Sequence, residues 1–210
     1  MPAAYRVRTP RLLIRCWSPE DAEIAGPAVA GSLAHLRAWL PWAMSEPVSL
    51  DDRVERFRQF RAHFDLGMDF IYGIFDHDER EAIGGIGLHQ RIGPNALEIG
   101  YWVRAERVRQ GIASEAAAAL TRVALEVHTV GRVEIHCDPA NVASAGVPRT
   151  LGYTHDATLR RRTRSPQGQE RDTMIWSMFR DELPKTRAGA ISIEARDAAG
   201  RVLLASERAT

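Results

Sequence analysis

The sequence has few cysteines and no long apolar runs. Its 210 residues include only Cys16 and Cys137, too few for the disulfide framework of a small secreted domain, so both are predicted to be reduced. No run of about 18 apolar residues is present, and the N-terminal stretch lacks an apolar segment of signal-peptide length. These absences favour a cytoplasmic protein that neither spans nor enters a membrane.

An excess of charge of one sign is lacking too. Lysine and arginine number 28 against 27 acidic residues, a formal net charge of +1. Binding to nucleic acid or to an anionic membrane draws on a clustered excess of basic residues, so neither partner is expected. The seven histidines show no metal-ligand spacing, and no G-x-x-x-x-G-K-[S/T] loop occurs, so neither a metal site nor nucleotide hydrolysis is predicted.

The hydrophobic pattern predicts strands that alternate with helices. Three central strands follow one another across turn-rich loops, which indicates an antiparallel meander. Pro148 falls inside the last helix, which is therefore predicted to be short or kinked. The basic run at 160–165 is predicted to be a solvated hairpin loop, with binding of an acidic substrate as the less favoured alternative. The predicted strands are 11–17, 70–76, 82–90, 97–104, 132–138 and 173–180, and the predicted helices follow Ser18 and Ser49 or span 35–43 (stopped at Pro41), 111–128 and 141–152.

The composition changes after Pro184. The runs "ISIEA" and "RVLLAS" could pair as a hairpin across "RDAAG". Chain ends are commonly variable and weakly held, so an ordered edge hairpin or a frayed tail is favoured over a regulatory or dimerising arm. The predicted division is one domain at 1–183 and a C-terminal extension at 184–210. A homodimer remains open, because nothing in the spacing decides it.

The stretch "VRAERVRQGIASEAAAAL", residues 103–120, is the most informative. A strand leads through a short turn into a long helix that starts at Gly111. The first N–H groups of such a helix have no intrahelical partner, and together with the positive end of the helix dipole they suit an anion. For this turn alone, a bare helix start and an anion site are about equally good interpretations.

Two motifs, "IGYWVRAERVRQGIASEAA" and "CDPANVASAGVPRTLGY", agree in order and spacing with one family. On these motifs the chain resembles the GNAT superfamily of N-acetyltransferases, and more narrowly its RimJ/RimL-like branch of ribosomal-protein N-terminal acetyltransferases. The resemblance spans roughly residues 8–183. It implies an α+β fold, in which a twisted mixed β-sheet with a splayed centre is flanked by helices. It also implies acetyl-CoA as co-substrate and an amine as acceptor.

The family pattern [Q/R]-x-x-G-x-[G/A] corresponds here to residues 108–113, with Val108 where glutamine or arginine is usual. Main-chain amides hold most of the pyrophosphate, so valine should weaken the site without abolishing it, and Arg109 or Arg107 could supply the missing cation. The resemblance implies that a strand N–H at Trp102, Val103 or Arg104 holds the thioester carbonyl. The implied cofactor-binding residues are Trp102, Val103, Arg104, Arg109, Gln110, Gly111, Ile112, Ala113, Ser114 and Asn141.

Amine acetylation needs a proton acceptor for the amine and a proton donor for the departing thiolate. Glu98 matches the position of the family's proton acceptor, and burial on a partly apolar sheet face is expected to raise its pKa. The alternative is a purely structural hydrogen bond. Ser144 matches the donor in the branch's N-x-x-S, although Asn141 is equally good as a helix cap. If Pro148 displaces Ser144, a water or a tyrosine would serve, with Tyr101 and Tyr153 as the available phenols.

The acceptor is the least defined part of the prediction. Trp39 and Trp42 could wall a substrate cleft, although large aromatic residues more often fill a core. The branch resemblance favours a protein or peptide N-terminal amine. A small amine, such as an aminoglycoside, polyamine or amino acid, stays open, because the same scaffold serves many acceptors. An acidic cleft beside Trp39 would indicate a cationic small molecule. A non-catalytic acyl-CoA-binding module is the alternative of a different class.

Overall fold

The computed structural model describes residues 3–206. They form one ten-stranded mixed sheet with strand order β10-β9-β1-β2-β3-β4-β5-β6-β8-β7. The strands are β1 (Arg6–Arg8), β2 (Leu13–Cys16), β3 (Phe70–Phe75), β4 (Ala82–His89), β5 (Ala96–Val103), β6 (Arg132–Cys137), β7 (Thr154–Arg164), β8 (Glu170–Phe179), β9 (Glu194–Arg196) and β10 (Val202–Ala205). The helices are α1 (Ala22–Ala30), α2 (Leu33–Leu36), α3 (Leu50–Asp65), α4 (Ile112–Arg122) and α5 (Val142–Leu151).

The predicted meander is present: β3, β4 and β5 pair antiparallel in chain order. β5 and β6 are parallel, and their pairing ends at Ile99 opposite Ile135. Beyond that point the remaining residues of β5 have no partner in β6, which opens the sheet. Gly85 of β4 permits Trp102 to lie across the strand, since a Cβ there would come within 2.5 Å of the indole nitrogen. The α+β fold with a splayed centre is thereby confirmed.

Helices cover both faces of the sheet. α4 continues as a π-helical turn, Val123–Val127, and its alanines pack into the main core against β4 and β5. α3 begins where the sequence predicts, because the Ser49 side chain accepts a hydrogen bond from the Asp52 N–H (3.1 Å) and caps the helix. Among residues 3–206 no helix is both long enough and apolar enough to cross a bilayer.

Two local predictions need correction. The segment predicted as one helix at 35–43 is two pieces: α2 ends at Leu36, and a separate 3₁₀ turn, Pro41–Ser45, begins at the proline that was expected to stop the helix. Proline is favoured at a first helical position, where its missing N–H costs nothing. The basic run at 160–165 lies mostly in β7, and the turn follows it. The short helix predicted at 141–152 is confirmed: α5 spans Val142–Leu151, with Pro148 inside it and Gly152 as its C-cap.

The residues after Pro184 extend the same sheet. β9 and β10 pair antiparallel, and β9 also pairs with β1. Ala188, Ile193 and Ala195 are buried in the main core cluster. The division of the chain at residues 183 and 184 stays a prediction, but this segment packs as part of the sheet.

Candidate active site

A cavity of about 1460 Å³ lies where β5 and β6 part. Two groups of residues enclose it beside the open strands. The first, here called the helix wall, lies at the starts of α4 and α5 and comprises Arg107, Val108, Arg109, Gly111, Ile112, Ala113, Ser114, Asn141, Val142, Ala143, Ser144, Gly146 and Val147. The second, the hairpin wall, comprises His35, Leu36, Trp39, Leu40 and Pro41 together with Arg162, Thr163, Arg164, Arg171 and Thr173 of the β7–β8 hairpin. The parts of the second wall are joined, since Arg171 and Gln167 donate to the backbone oxygens of Ala38 (2.9 Å) and Arg37 (3.3 Å).

The helix wall presents unpaired backbone donors. Gly111 caps α4 with φ +77°, a left-handed conformation that glycine adopts without strain. The first intrahelical bond runs from the Glu115 N–H to the Gly111 oxygen (2.9 Å), so the N–H groups of Ile112, Ala113 and Ser114 precede it and have no acceptor within the helix. These three residues line the cavity, as an anion site at the helix start requires.

The arginines around this turn have different roles. Arg109 lines the cavity and, within the described part of the chain, has no carboxylate partner. Arg107 is bound to Glu81 (2.6 Å). Of the two arginines, Arg109 is therefore the better placed to bind an anion at the start of α4. Val108 lines the cavity with 44% of its surface exposed.

Two predicted cofactor residues do not face the cavity. Arg104 pairs with Glu81 (2.6 Å), and its N–H bonds to the Ile83 oxygen (2.9 Å), so neither group is available. The Gln110 side chain turns back to the Glu106 oxygen (3.0 Å). Both lie outside the cavity wall that residues 3–206 form. These local bonds could not be read from the motif, which fixes spacing but not side-chain direction.

The strand N–H groups differ in direction. Bonded and non-bonded residues alternate along an antiparallel pair. Because Arg104 bonds to β4, the alternation directs the N–H of Trp102 toward β4 and that of Val103 toward the opening. The Val103 oxygen lies 3.1 Å from Nε2 of His35. Of the three predicted donors, Val103 alone has both a cavity-lining position and an N–H directed into the gap.

Glu98 belongs to a chain of charged groups on β5 and β6. Arg91 binds its carboxylate with two nitrogens, at 2.5 and 2.7 Å. Nδ1 of His136 lies 3.7 Å from Oε2 of Glu98, and Nε2 of His136 lies 2.6 Å from Glu134. Glu134 also pairs with Arg132 (2.6 Å). Glu98, His136 and Glu134 all line the cavity, so three groups that can accept a proton lie side by side where the strands part.

The expected direction of the Glu98 pKa is wrong. Burial opposes ionisation of this carboxyl, but the bidentate bond to Arg91 and the charges of Arg91, His136 and His89 outweigh it, so the pKa of Glu98 is lowered. Arg91 comes from the loop before β5, and its approach was not evident from the strand pattern. The role of His136 was also missed. The parallel register that sets Glu98 beside Glu134 places His136 one step along the same face.

Ser144 and Tyr101 meet at the start of α5. The Tyr101 hydroxyl lies 3.2 Å from the Ser144 hydroxyl and donates to the Ser144 backbone oxygen (3.1 Å). Pro148 has no N–H to bond that oxygen, so the proline leaves an acceptor for the phenol. Burial raises the pKa of Tyr101, which keeps the phenol protonated. Asn141 caps α5 by accepting from the Ser144 N–H (3.1 Å).

The other phenol and the two tryptophans fall in different places. Tyr153 is buried against Thr121 (2.5 Å), away from the cavity as residues 3–206 define it. Trp39 lines the cavity, with the Arg171 guanidinium 5.1 Å from its ring centre. Trp42 packs edge-on to Trp102 at 5.9 Å and supports the splayed strand from outside the described cavity wall. Among residues 3–206 no cluster of histidine, cysteine and acidic side chains could hold a metal ion.

The model of one family, described as the acetyltransferase (GNAT) domain, matches residues 11–154. This chain belongs to the GNAT family. It is therefore an acetyl-CoA-dependent N-acetyltransferase, as the motifs predicted. A sequence relative, "Putative ribosomal N-acetyltransferase YdaF" of Bacillus subtilis (strain 168), is 27% identical over 177 residues, which cover 81% of this chain and 92% of the relative.

Solved GNAT structures agree with the fold. Mycobacterium smegmatis RimJ in complex with CoA-disulfide has a TM-score of 0.77 at 23% identity, over 89% of this chain and 91% of that one. RimL, a ribosomal L7/L12 alpha-N-protein acetyltransferase in complex with coenzyme A, has a TM-score of 0.74 at 22% identity, over 82% and 96% of the two chains. These two structures show that this chain shares the fold of GNAT enzymes.

Proposed function

We propose that this GNAT enzyme acetylates the N-terminal amine of a protein or peptide. The observation that carries the proposal is the charge of the cleft beside Trp39. Each carboxylate that lines the described cavity is bound by an arginine: Glu98 by Arg91, Glu134 by Arg132 and Asp138 by Arg171 (3.2 Å). A polycationic small molecule would need free carboxylates, which this cleft does not offer. The relative named as a ribosomal N-acetyltransferase supports the same acceptor class.

Acetyl-CoA fits the donors of the helix wall. Its pyrophosphate would be held by the N–H groups of Ile112, Ala113 and Ser114 with Arg109 as the cation. Val103 would donate its N–H to the thioester carbonyl between the parted strands. Asn141 uses its side-chain oxygen on the Ser144 N–H, which leaves its amide NH₂ free to bind the cofactor arm.

The residues around the splay supply the proton transfers. The amine nitrogen attacks the thioester carbon and forms the C–N bond, and the Val103 N–H stabilises the resulting oxyanion. The C–S bond then breaks, which leaves the acetylated amine and the CoA thiolate. Glu98 and His136 take the amine proton, directly or through water. The Ser144 hydroxyl donates a hydrogen bond to the departing thiolate. The Tyr101 phenol, which contacts that hydroxyl, helps to hold it in place. No covalent enzyme intermediate is needed.

The test is release of CoA thiol from acetyl-CoA with a panel of amines: N-terminal peptides, polyamines, amino acids and aminoglycosides. Calorimetry with CoA runs in parallel, with Arg109→Gln as the cofactor-site variant. We expect turnover on peptides and a several-fold weaker CoA affinity in the variant. Turnover on aminoglycosides or polyamines alone would contradict the peptide assignment, and CoA binding without turnover on any amine would support a non-catalytic module.

A further inference from the structure

The basic run at 160–165 carries a feature that N-acetyl transfer by itself does not explain. Arg162 and Arg164 line the cavity from the hairpin wall. Among the described residues neither has a carboxylate partner, and the one contact of the Arg164 guanidinium is with the Gly168 oxygen (3.3 Å). Elsewhere on the same wall the arginine is paired: Arg171 binds Asp138 (3.2 Å). Two unpaired guanidinium groups thus face the substrate space.

The strand geometry that presents Arg162 is irregular. Leu159 pairs with Thr173 and Thr163 pairs with Arg171, so residues 160–162 of β7 lie opposite Asp172 alone. Arg161 has a φ of +52°, uncommon for a residue with a side chain. Its N–H is held by the Asp172 carboxylate at 2.9 Å. Such bulges change the direction of a side chain and often lie beside active sites. Here the bulge precedes Arg162, which lines the cavity.

We propose that Arg162 and Arg164 form an anion subsite for the acceptor, which selects peptides with acidic side chains close to the N-terminal amine. This inference rests on the proposed function and names the substrate class of the same site. Arg171 is fixed between Asp138 and the Trp39 ring, so its charge is already compensated, and the two free guanidinium groups are the ones that bind carboxylate. The cofactor phosphates have their own donors on the helix wall.

The experiment compares two peptides with the same N-terminal residue, one with Asp and Glu and one with Asn and Gln at the next three positions. Affinity for the enzyme with CoA bound is measured by calorimetry, and turnover by thiol release. In the wild type we expect the acidic peptide to bind about three- to tenfold more tightly, with a preference that fades at high salt. The double variant Arg162→Gln with Arg164→Gln should lose the preference.

Arg160→Gln is the matched control, because Arg160 lies exposed in the same bulge and outside the described cavity wall. It should keep the wild-type preference. Equal affinity for the two peptides in the wild type would overturn the subsite. So would a loss of CoA affinity in the double variant, which would assign the arginines to the cofactor phosphates. Tight, charge-dependent peptide binding without turnover would retain the subsite and refute the proposed acetylation of peptides.

Discussion

At the scale of single residues, the site is governed by two carboxylates on adjacent parallel strands. Glu98 and Glu134 are register partners, and two like charges at that spacing would repel. Arg91, Arg132 and His136 lie around them and satisfy both. Ion pairs therefore offset the cost of burying the two carboxylates, and the pKa of Glu98 is lowered in spite of its burial. In the proposed reaction, Glu98 attracts and orients the incoming ammonium, and His136 provides a second group that can accept its proton.

This arrangement predicts the pH dependence of Glu98→Gln. Because the pKa of Glu98 is lowered, chiefly by Arg91 against the effect of burial, the carboxylate stays charged until the pH falls below the ordinary carboxyl range. We expect the variant to lose about 10²-fold in kcat/KM. The ratio of wild type to variant should stay constant from about pH 9 to about pH 5. Rate profiles of both proteins over this window provide the measurement.

The companion variant is Arg91→Gln, which removes the cation and leaves Glu98 to the effect of burial. In that background the contribution of Glu98 should begin to decline at a higher pH than in the wild type. If the ratio of wild-type to Glu98→Gln activity already shrinks as the pH falls from 8 to about 6, the pKa of Glu98 is raised. That result would contradict this account of the site.

Residues whose role depends on the backbone were predictable from sequence, whereas those whose role depends on a long side chain were not. Gly111 and Asn141 were placed by turn and cap chemistry, and the structure has both where expected. Gln110 and Arg104 were predicted from spacing but are drawn away by Glu106 and Glu81. Partners such as Arg91 come from loops, and only the folded chain shows which carboxylate they reach.

At the scale of elements, α5 shows a proline used inside a helix. Pro148 interrupts the helical ladder at the Ser144 oxygen, and the expectation was a short or kinked helix. The Tyr101 hydroxyl of β5 supplies the missing donor instead (3.1 Å), and the helix continues to Leu151. The same bond ties α5 to the splayed strand and holds the Ser144 hydroxyl beside the phenol. A helix defect thus becomes a contact within the active site.

A double-mutant cycle tests whether the Tyr101 hydroxyl replaces the N–H that Pro148 lacks. Tyr101→Phe should destabilise the protein by about 1–3 kcal/mol, because the Ser144 oxygen loses its donor. In the Pro148→Ala background a helical N–H is available at position 148, so the same change should cost about 1 kcal/mol less. Urea unfolding of the four proteins gives the coupling free energy. Ser144→Ala is the control, since it keeps the carbonyl and should cost the same in both backgrounds. A cost of Tyr101→Phe that is equal in the two backgrounds would refute the exchange.

At the scale of the whole molecule, the order of strands and helices was largely predictable, because apolar runs bounded by turn residues mark the central strands and α4 repeats with helical period. The splay was implied by family resemblance and follows physically from the short β5–β6 pairing. The hairpin after residue 184 was foreseen as a pair of strands, but its place beside β1 was not. Local patterns predict which segments pair as hairpins, whereas the edge of the sheet that a hairpin joins depends on long-range packing.

The position of that hairpin makes residues beyond 183 part of the core. Ile193 is 3% exposed, and its N–H donates to the Ser206 hydroxyl oxygen (3.3 Å). The buried Arg122 of α4 donates to the Ile191 oxygen (2.9 Å). If this segment were an independent tail, its side chains would contribute nothing to the stability of the sheet. In the structure they fill the space between α4 and the edge strands.

Ile193→Ala should therefore lower the free energy of unfolding of the whole enzyme by about 2–4 kcal/mol, and the melting temperature by roughly 5–10 °C. Val202→Ala is the matched control: Val202 is half exposed on β10, and its loss should cost under about 0.5 kcal/mol. Urea denaturation monitored by tryptophan fluorescence reports on the sheet that contains Trp102 and Trp176. A melting temperature unchanged by Ile193→Ala would show that residues 184–206 fold apart from the acetyltransferase domain. An equal loss of unfolding free energy in both variants would show that the hairpin acts through strand propensity and not through burial.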